Sequence, residues 1–117
     1  MGLSTHVLDT YHGQPAAGMR VALFDMDGDT PVLLQEITLN ADGRNAGGPL
    51  IPNEHMRRGR FRLRFDVAGY FRARGVALPE PAFIDQVNLD FGIAHPDQHY
   101  HVPLVCTPWT YSTYRGS

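Results

Sequence analysis

Apolar and polar side chains alternate with a period of two through much of this chain. The clearest stretch is Arg60-Phe61-Arg62-Leu63-Arg64-Phe65, with Phe61, Leu63 and Phe65 on one face and three arginines on the other. Successive residues of a strand point to opposite faces, so the pattern predicts a half-buried strand. Phe83 to Phe91 predicts another, in which Val87, Leu89 and Phe91 point one way and Gln86, Asn88 and Asp90 the other. Val21-Ala22-Leu23-Phe24 is a short apolar run suited to a buried strand, and Asp27-Gly28-Asp29 supplies a hairpin turn into Val32 to Ile37. Asp42-Gly43-Arg44 offers a further turn. Ser4 to Asp9, His99 to Cys106 and Trp109 to Tyr114 also read as strands, the last two separated by Thr107-Pro108. Only Gly69 to Gly75 leaves room for a helix, of about two turns between its own glycines. Seven or eight short strands and one short helix predict an all-β sandwich, each sheet burying one face against the other.

Composition limits what such a fold can do. With 117 residues, the chain is expected to form one domain, residues 1–117. Ten basic residues against twelve acidic ones leave a formal charge of −2, and every basic residue is arginine. The absence of lysine excludes a Schiff-base or P-loop lysine. Five arginines lie between Arg57 and Arg64, but three of them form the outer face of a strand. Asp85 and Asp90 are expected to face them across neighbouring strands, so no nucleic-acid partner is expected. The single cysteine, Cys106, excludes an intrachain disulfide and a multi-thiolate zinc site, and its apolar neighbours make it a buried, inert thiol. There is no G-x-S-x-G, G-x-G-x-x-G or Walker pattern. Nor is there a basic and apolar leader, or an apolar stretch near the roughly 20 residues that span a bilayer. A cytoplasmic protein without a membrane partner is expected.

Histidine carries the remaining chemistry, with six in the chain. Period-two alternation places His6 on a face with Ser4 and Leu8, and His99 on a face with His101. Two imidazoles spaced H-x-H lie about 7 Å apart along a strand. They could hold a metal with His6 as third ligand, or be satisfied by hydrogen bonds at the end of a sheet. Arg44, on a Gly-flanked loop, is a fixed cation able to clamp a planar anion or an oxyanion. The closing segment Trp109 to Ser117 is rich in aromatic and polar groups and is expected to be packed in a specific place.

Taken together, these motifs resemble the 5-hydroxyisourate hydrolase family, the transthyretin-like enzymes of urate breakdown. Leu3-Ser4-Thr5-His6-Val7-Leu8-Asp9 is similar to that family's opening motif, and Asp42-Gly43-Arg44 to its central arginine motif. His99-Tyr100-His101-Val102-Pro103-Leu104 and Tyr111-Ser112-Thr113-Tyr114-Arg115-Gly116-Ser117 are similar to its C-terminal block. The resemblance implies two four-stranded sheets with a short helix, and a homotetramer built as a dimer of dimers with active sites in the groove between dimers. It implies hydrolysis of 5-hydroxyisourate to 2-oxo-4-hydroxy-4-carboxy-5-ureidoimidazoline, with no metal or other cofactor. His6, Arg44, His101 and Tyr114 would be catalytic, and Tyr111, Arg115, Gly116 and Ser117 would bind substrate. The competing expectation is a non-catalytic transthyretin-like carrier of a small ligand.

Overall fold

In the computed structural model, which describes residues 2–117, the alternation becomes eight strands in two four-stranded sheets. These are β1 (Leu3–Asp9), β2 (Gln14–Pro15), β3 (Arg20–Asp25), β4 (Val32–Thr38), β5 (Gly59–Phe65), β6 (Val87–Ile93), β7 (Tyr100–Cys106) and β8 (Tyr111–Thr113). One sheet has the order β2-β1-β7-β8, the other β4-β3-β5-β6. The expected sandwich is therefore present. Its core forms where the inward faces meet: Leu3, Val7 and Leu104 from one sheet, Leu23, Phe61, Leu63 and Phe65 from the other. Burial of each such side chain contributes roughly 1.5–3 kcal/mol, which makes the inward alternation the main stabilising term.

All pairings are antiparallel except β1 with β7, which run parallel with Ser4 opposite His101 and His6 opposite Pro103. Thr5 faces inward between them, its hydroxyl donating to the Val102 carbonyl at 2.7 Å. The arginines on and just before β5 meet aspartates in part, with Arg64 lying instead over the Phe24 ring. Arg62 forms a fork with Asp90, at 2.6 and 3.0 Å, and Arg57 pairs with Asp25 and Asp27. Asp85 does not join them; its backbone carbonyl accepts from the Ala68 N–H instead.

Three boundaries differ from expectation. The helix, α1, spans Val67–Ala73 rather than starting at Gly69. Asp66 caps it by accepting from the Gly69 N–H at 3.2 Å, so that glycine lies inside the first turn. β6 starts only at Val87; Phe83, instead of pointing inward, is 74% exposed and stacks on Trp109. β8 is three residues long, because the turn through Thr107 to Thr110 is closed by side-chain bonds to the Thr107 hydroxyl.

Helix and first sheet are joined by a buried carboxylate. Asp9 is fully buried and accepts from the His12 backbone N–H at 2.9 Å, the His12 ring at 2.6 Å and the Tyr70 hydroxyl at 2.7 Å. Burial alone would raise the Asp9 carboxyl, but these donors overcome it and leave it below the usual carboxylate range. Burial and the bond to Asp9 push the Tyr70 phenol up to about 12. Asp9→Ala strands the Tyr70 hydroxyl and is expected to cost on the order of 3 kcal/mol in urea unfolding. The stabilisation is present above the unfolded aspartate value and is lost as pH falls through the lower folded one. Asp9→Ala should therefore be markedly less acid-sensitive than the wild type.

Candidate active site

The parallel pairing of β1 with β7 brings together residues that are far apart in the chain. On its outward face lie Ser4 and His6 from β1, and His101 from β7, all half-buried. His101 is directly beside Ser4. His6 is two residues further along, which places its Cα about 8 Å from that of His101 by strand spacing and rise.

Arg44 reaches this face from the turn after β4. The Val7 N–H donates to the Gly43 carbonyl at 3.0 Å, fastening the turn to the middle of β1. Gly43 has φ of +72°, and a Cβ there would approach the Val7 carbonyl. Only glycine combines that left-handed conformation with so close an approach. The Asn40 side chain braces the turn from within, accepting from the N–H groups of Asp42 at 2.9 Å and Arg44 at 3.1 Å. Arg44 is exposed, and among the described residues no carboxylate lies within ion-pairing distance of its guanidinium. Its charge is free to act on a ligand.

The two histidines register that charge. Burial and then the Arg44 cation hold His6 below the ordinary histidine value, against the opposing pull of the Asp42 backbone and carboxylate. The same two causes lower His101, with His99 and His6 adding to them. Both imidazoles are therefore neutral at neutral pH, beside an unpaired guanidinium.

The C-terminal segment closes one side. The Gly116 N–H donates to the His101 carbonyl at 2.8 Å, forming an isolated bridge. A Cβ on Gly116 would lie 2.5 Å from Cδ2 of His101, so any side chain there would push the imidazole aside. Gly116 thus touches this face through its backbone. Ser117 follows it and is exposed.

The fold does not bring the other predicted residues to this face within one subunit. Arg115 folds over the Tyr100 ring at 4.0 Å and donates to the Gln98 side chain and the His99 carbonyl, anchoring the tail. Tyr114 lines, with Arg115, a groove of about 350 Å³ that also includes Leu89, Phe91, Tyr100 and Val102. Tyr111 pairs with Cys106, five residues along β7 from His101 and so about 17 Å away by strand rise. Cys106 is buried, and burial followed by the Asp9 charge pushes its thiol up to about 12, consistent with an inert role.

His99 stands just before β7, its ring stacked on that of His101 with centroids 6.3 Å apart. Among the described residues no three His, Cys, Asp or Glu side chains are grouped to hold a metal, so His6 does not complete a site with this pair. Instead Ser4 sits between them, its Oγ 2.8 Å from His101 Nδ1 and 3.4 Å from His99 Nε2. Ser4 and Asn40 were not singled out from the sequence. The Asn-Ala-Asp-Gly run is a recognisable side-chain-braced turn, whereas Ser4 gains significance only from the strand register.

A model of the HIUase/transthyretin family matches residues 3–116. A 5-hydroxyisourate hydrolase of Pseudomonas aeruginosa is 50% identical over 115 residues, covering 98% of this chain and 90% of the relative. The structure of Klebsiella pneumoniae 5-hydroxyisourate hydrolase superposes with a TM-score of 0.79 at 32% identity, over the whole of both chains. A crystal structure of (S)-allantoin synthase is similar at a TM-score of 0.92 and 41% identity; it covers 99% of this chain, which spans 43% of that longer one.

Proposed function

This chain belongs to the HIUase/transthyretin family, and from that premise we propose that it is an enzyme hydrolysing 5-hydroxyisourate at the His6–Arg44–His101 face. The observation that carries the reading is the meeting of two neutral imidazoles with an unpaired guanidinium where β1 and β7 pair. A carrier has no need for a free cation held against two bases.

The chemistry fits a cyclic amide. Water adds to C6 of the substrate, the N1–C6 bond breaks, and the product is 2-oxo-4-hydroxy-4-carboxy-5-ureidoimidazoline. One imidazole takes the proton from water and returns it to the departing nitrogen, a role that contributes roughly 10²–10⁴-fold. Arg44 offers a planar, permanently charged fork to the oxyanion that develops on the carbonyl. The imide-like carbonyl is already activated, so the reaction calls for no metal. Tyr114 and Ser117 supply hydroxyls to orient substrate or water, and Tyr111, Arg115 and Gly116 complete the wall.

Because Tyr111 and Tyr114 lie away from His101 in one subunit, their part in the site rests on assembly. A homotetramer, a dimer of dimers, would enclose the exposed β1–β7 face and supply its missing side. Molar mass in solution reads this directly, and a monomer at assay concentration would remove it. The function itself is tested by following freshly made 5-hydroxyisourate in the ultraviolet. Decay is expected to be accelerated far beyond the spontaneous rate, also after exhaustive chelation; decay at the spontaneous rate would overturn the hydrolase reading.

A further inference from the structure

The reaction above gives no task to Ser4 or His99, although both touch or flank His101. Resting on the hydrolase reading, we propose that Ser4 is a positioning residue which, backed by His99, holds His101 in the tautomer protonated at Nε2 and leaves His6 as the base.

With Ser4 both accepting and donating, two hydrogen orders remain; an order in which both rings donate to Ser4 Oγ leaves its hydroxyl hydrogen without a partner among the described residues. In the first, His99 Nε2–H donates to Ser4 Oγ, and the Ser4 hydroxyl donates to His101 Nδ1. In the second, His101 Nδ1–H donates to Ser4, and Ser4 donates to His99 Nε2. A neutral imidazole carries one N–H, so the second order forces the hydrogen of His99 onto its Nδ1. That atom is buried and has no hydrogen-bond partner among the described residues. A stranded buried N–H is among the rarest and costliest polar defects. The first order avoids it, leaving only a bare nitrogen in that place. His101 then keeps Nδ1 as an acceptor toward Ser4 and presents Nε2–H on the other side of its ring. Gly116 lies so near the ring that an added Cβ would stand 2.5 Å from Cδ2, so there is little room for the ring to turn on that side.

The consequence is a division of labour between the two histidines. His101 cannot take a proton at Nε2 while that atom holds one, so it acts as a neutral hydrogen-bond donor to the substrate carbonyl, alongside Arg44. A neutral imidazole kept as an electrophile by a depressed pKa is a known catalytic arrangement. His6 takes a proton from water as the new O–C6 bond forms and negative charge moves onto the carbonyl oxygen. As the oxyanion collapses, the C6–N1 electron pair passes to N1, which receives the proton held by His6. Both histidines end in their starting state.

Nitrogen-15 NMR of the labelled protein at neutral pH distinguishes protonated from bare imidazole nitrogens. His101 is expected to show a bare Nδ1 and a protonated Nε2, and Ser4→Ala to show a mixture of tautomers. In steady-state kinetics Ser4→Ala should lower kcat about tenfold with KM within about twofold, and Ser4→Thr, which keeps the hydroxyl, should restore most of the rate. His101→Gln, which retains an N–H near the Nε2 position, should keep more activity than His6→Gln. A protonated Nδ1 on wild-type His101, an unchanged kcat in Ser4→Ala, or the reverse order of the two glutamine variants would each overturn the assignment. If the wild type failed to accelerate loss of 5-hydroxyisourate, the hydrolase reading would fall, and the wild-type NMR spectrum would still decide the tautomer.

Discussion

Arg44→Ala is expected to lower kcat/KM for 5-hydroxyisourate by at least about 10²-fold, the scale of losing one oxyanion-stabilising donor. That corresponds to about 2.7 kcal/mol of transition-state stabilisation. The thermal midpoint should barely change, because Arg44 is exposed and pairs with no carboxylate among the described residues. The same substitution should alter the pH profile. Arg44 helps hold His6 and His101 below the ordinary histidine value, after burial. With the neutral forms acting as proposed above, wild-type activity should persist below the usual histidine pKa of about 6.5 and fall only at lower pH. Removing the cation lets both imidazoles protonate more easily, and the acid limb should move to higher pH. An acid limb that stays in place, with a rate near wild type, would show that Arg44 does not act on this face.

His101→Ala should lower kcat by at least about 10²-fold. His101 points outward from the sandwich and is only half-buried, so the core loses nothing. Its removal also takes away the partner of Ser4 and the surface on which Gly116 rests. The double variant Ser4→Ala/His101→Ala should therefore be no slower than His101→Ala alone, since Ser4 acts through that ring. A further tenfold loss in the double variant would mean that Ser4 meets the substrate itself. Circular dichroism and thermal melting separate these kinetic effects from unfolding; Asp9→Ala, by contrast, should lose stability first.

How much could be read beforehand followed from the range of the interactions. Alternation is local, so it sets Phe61, Leu63 and Phe65 on one buried face, and it groups His6 with Ser4 and His99 with His101. Glycines at 69 and 75 suggest helix boundaries, but the helix starts at Val67. The cap at Asp66 works through a hydrogen bond that makes Gly69 internal. Phe83 kept the alternating pattern but lies before the ladder begins at Val87, and an aromatic neighbour from another turn, Trp109, holds it at the surface. The candidate site was legible as motifs, since His6, Arg44, His101 and Gly116 each lie in one of the segments that carry the resemblance. Its geometry was not, because the register that sets Ser4 beside His101, and Arg115 upon Tyr100, joins segments with no local signal of their partner.

The parallel seam between β1 and β7 also has a consequence for synthesis. Ser4 and His101 are separated by 97 positions. At roughly 5–20 residues per second, the first strand waits on the order of five to twenty seconds for its partner to leave the ribosome. Closing so long a loop comes late among the contacts of the fold. Until then the second sheet can form its own antiparallel ladder while β1 carries an open edge and one half of the candidate site. Translation thus closes the open β1 edge and completes this face of the subunit at one event, and a stalled ribosome would hold a largely folded protein whose candidate site is unmade.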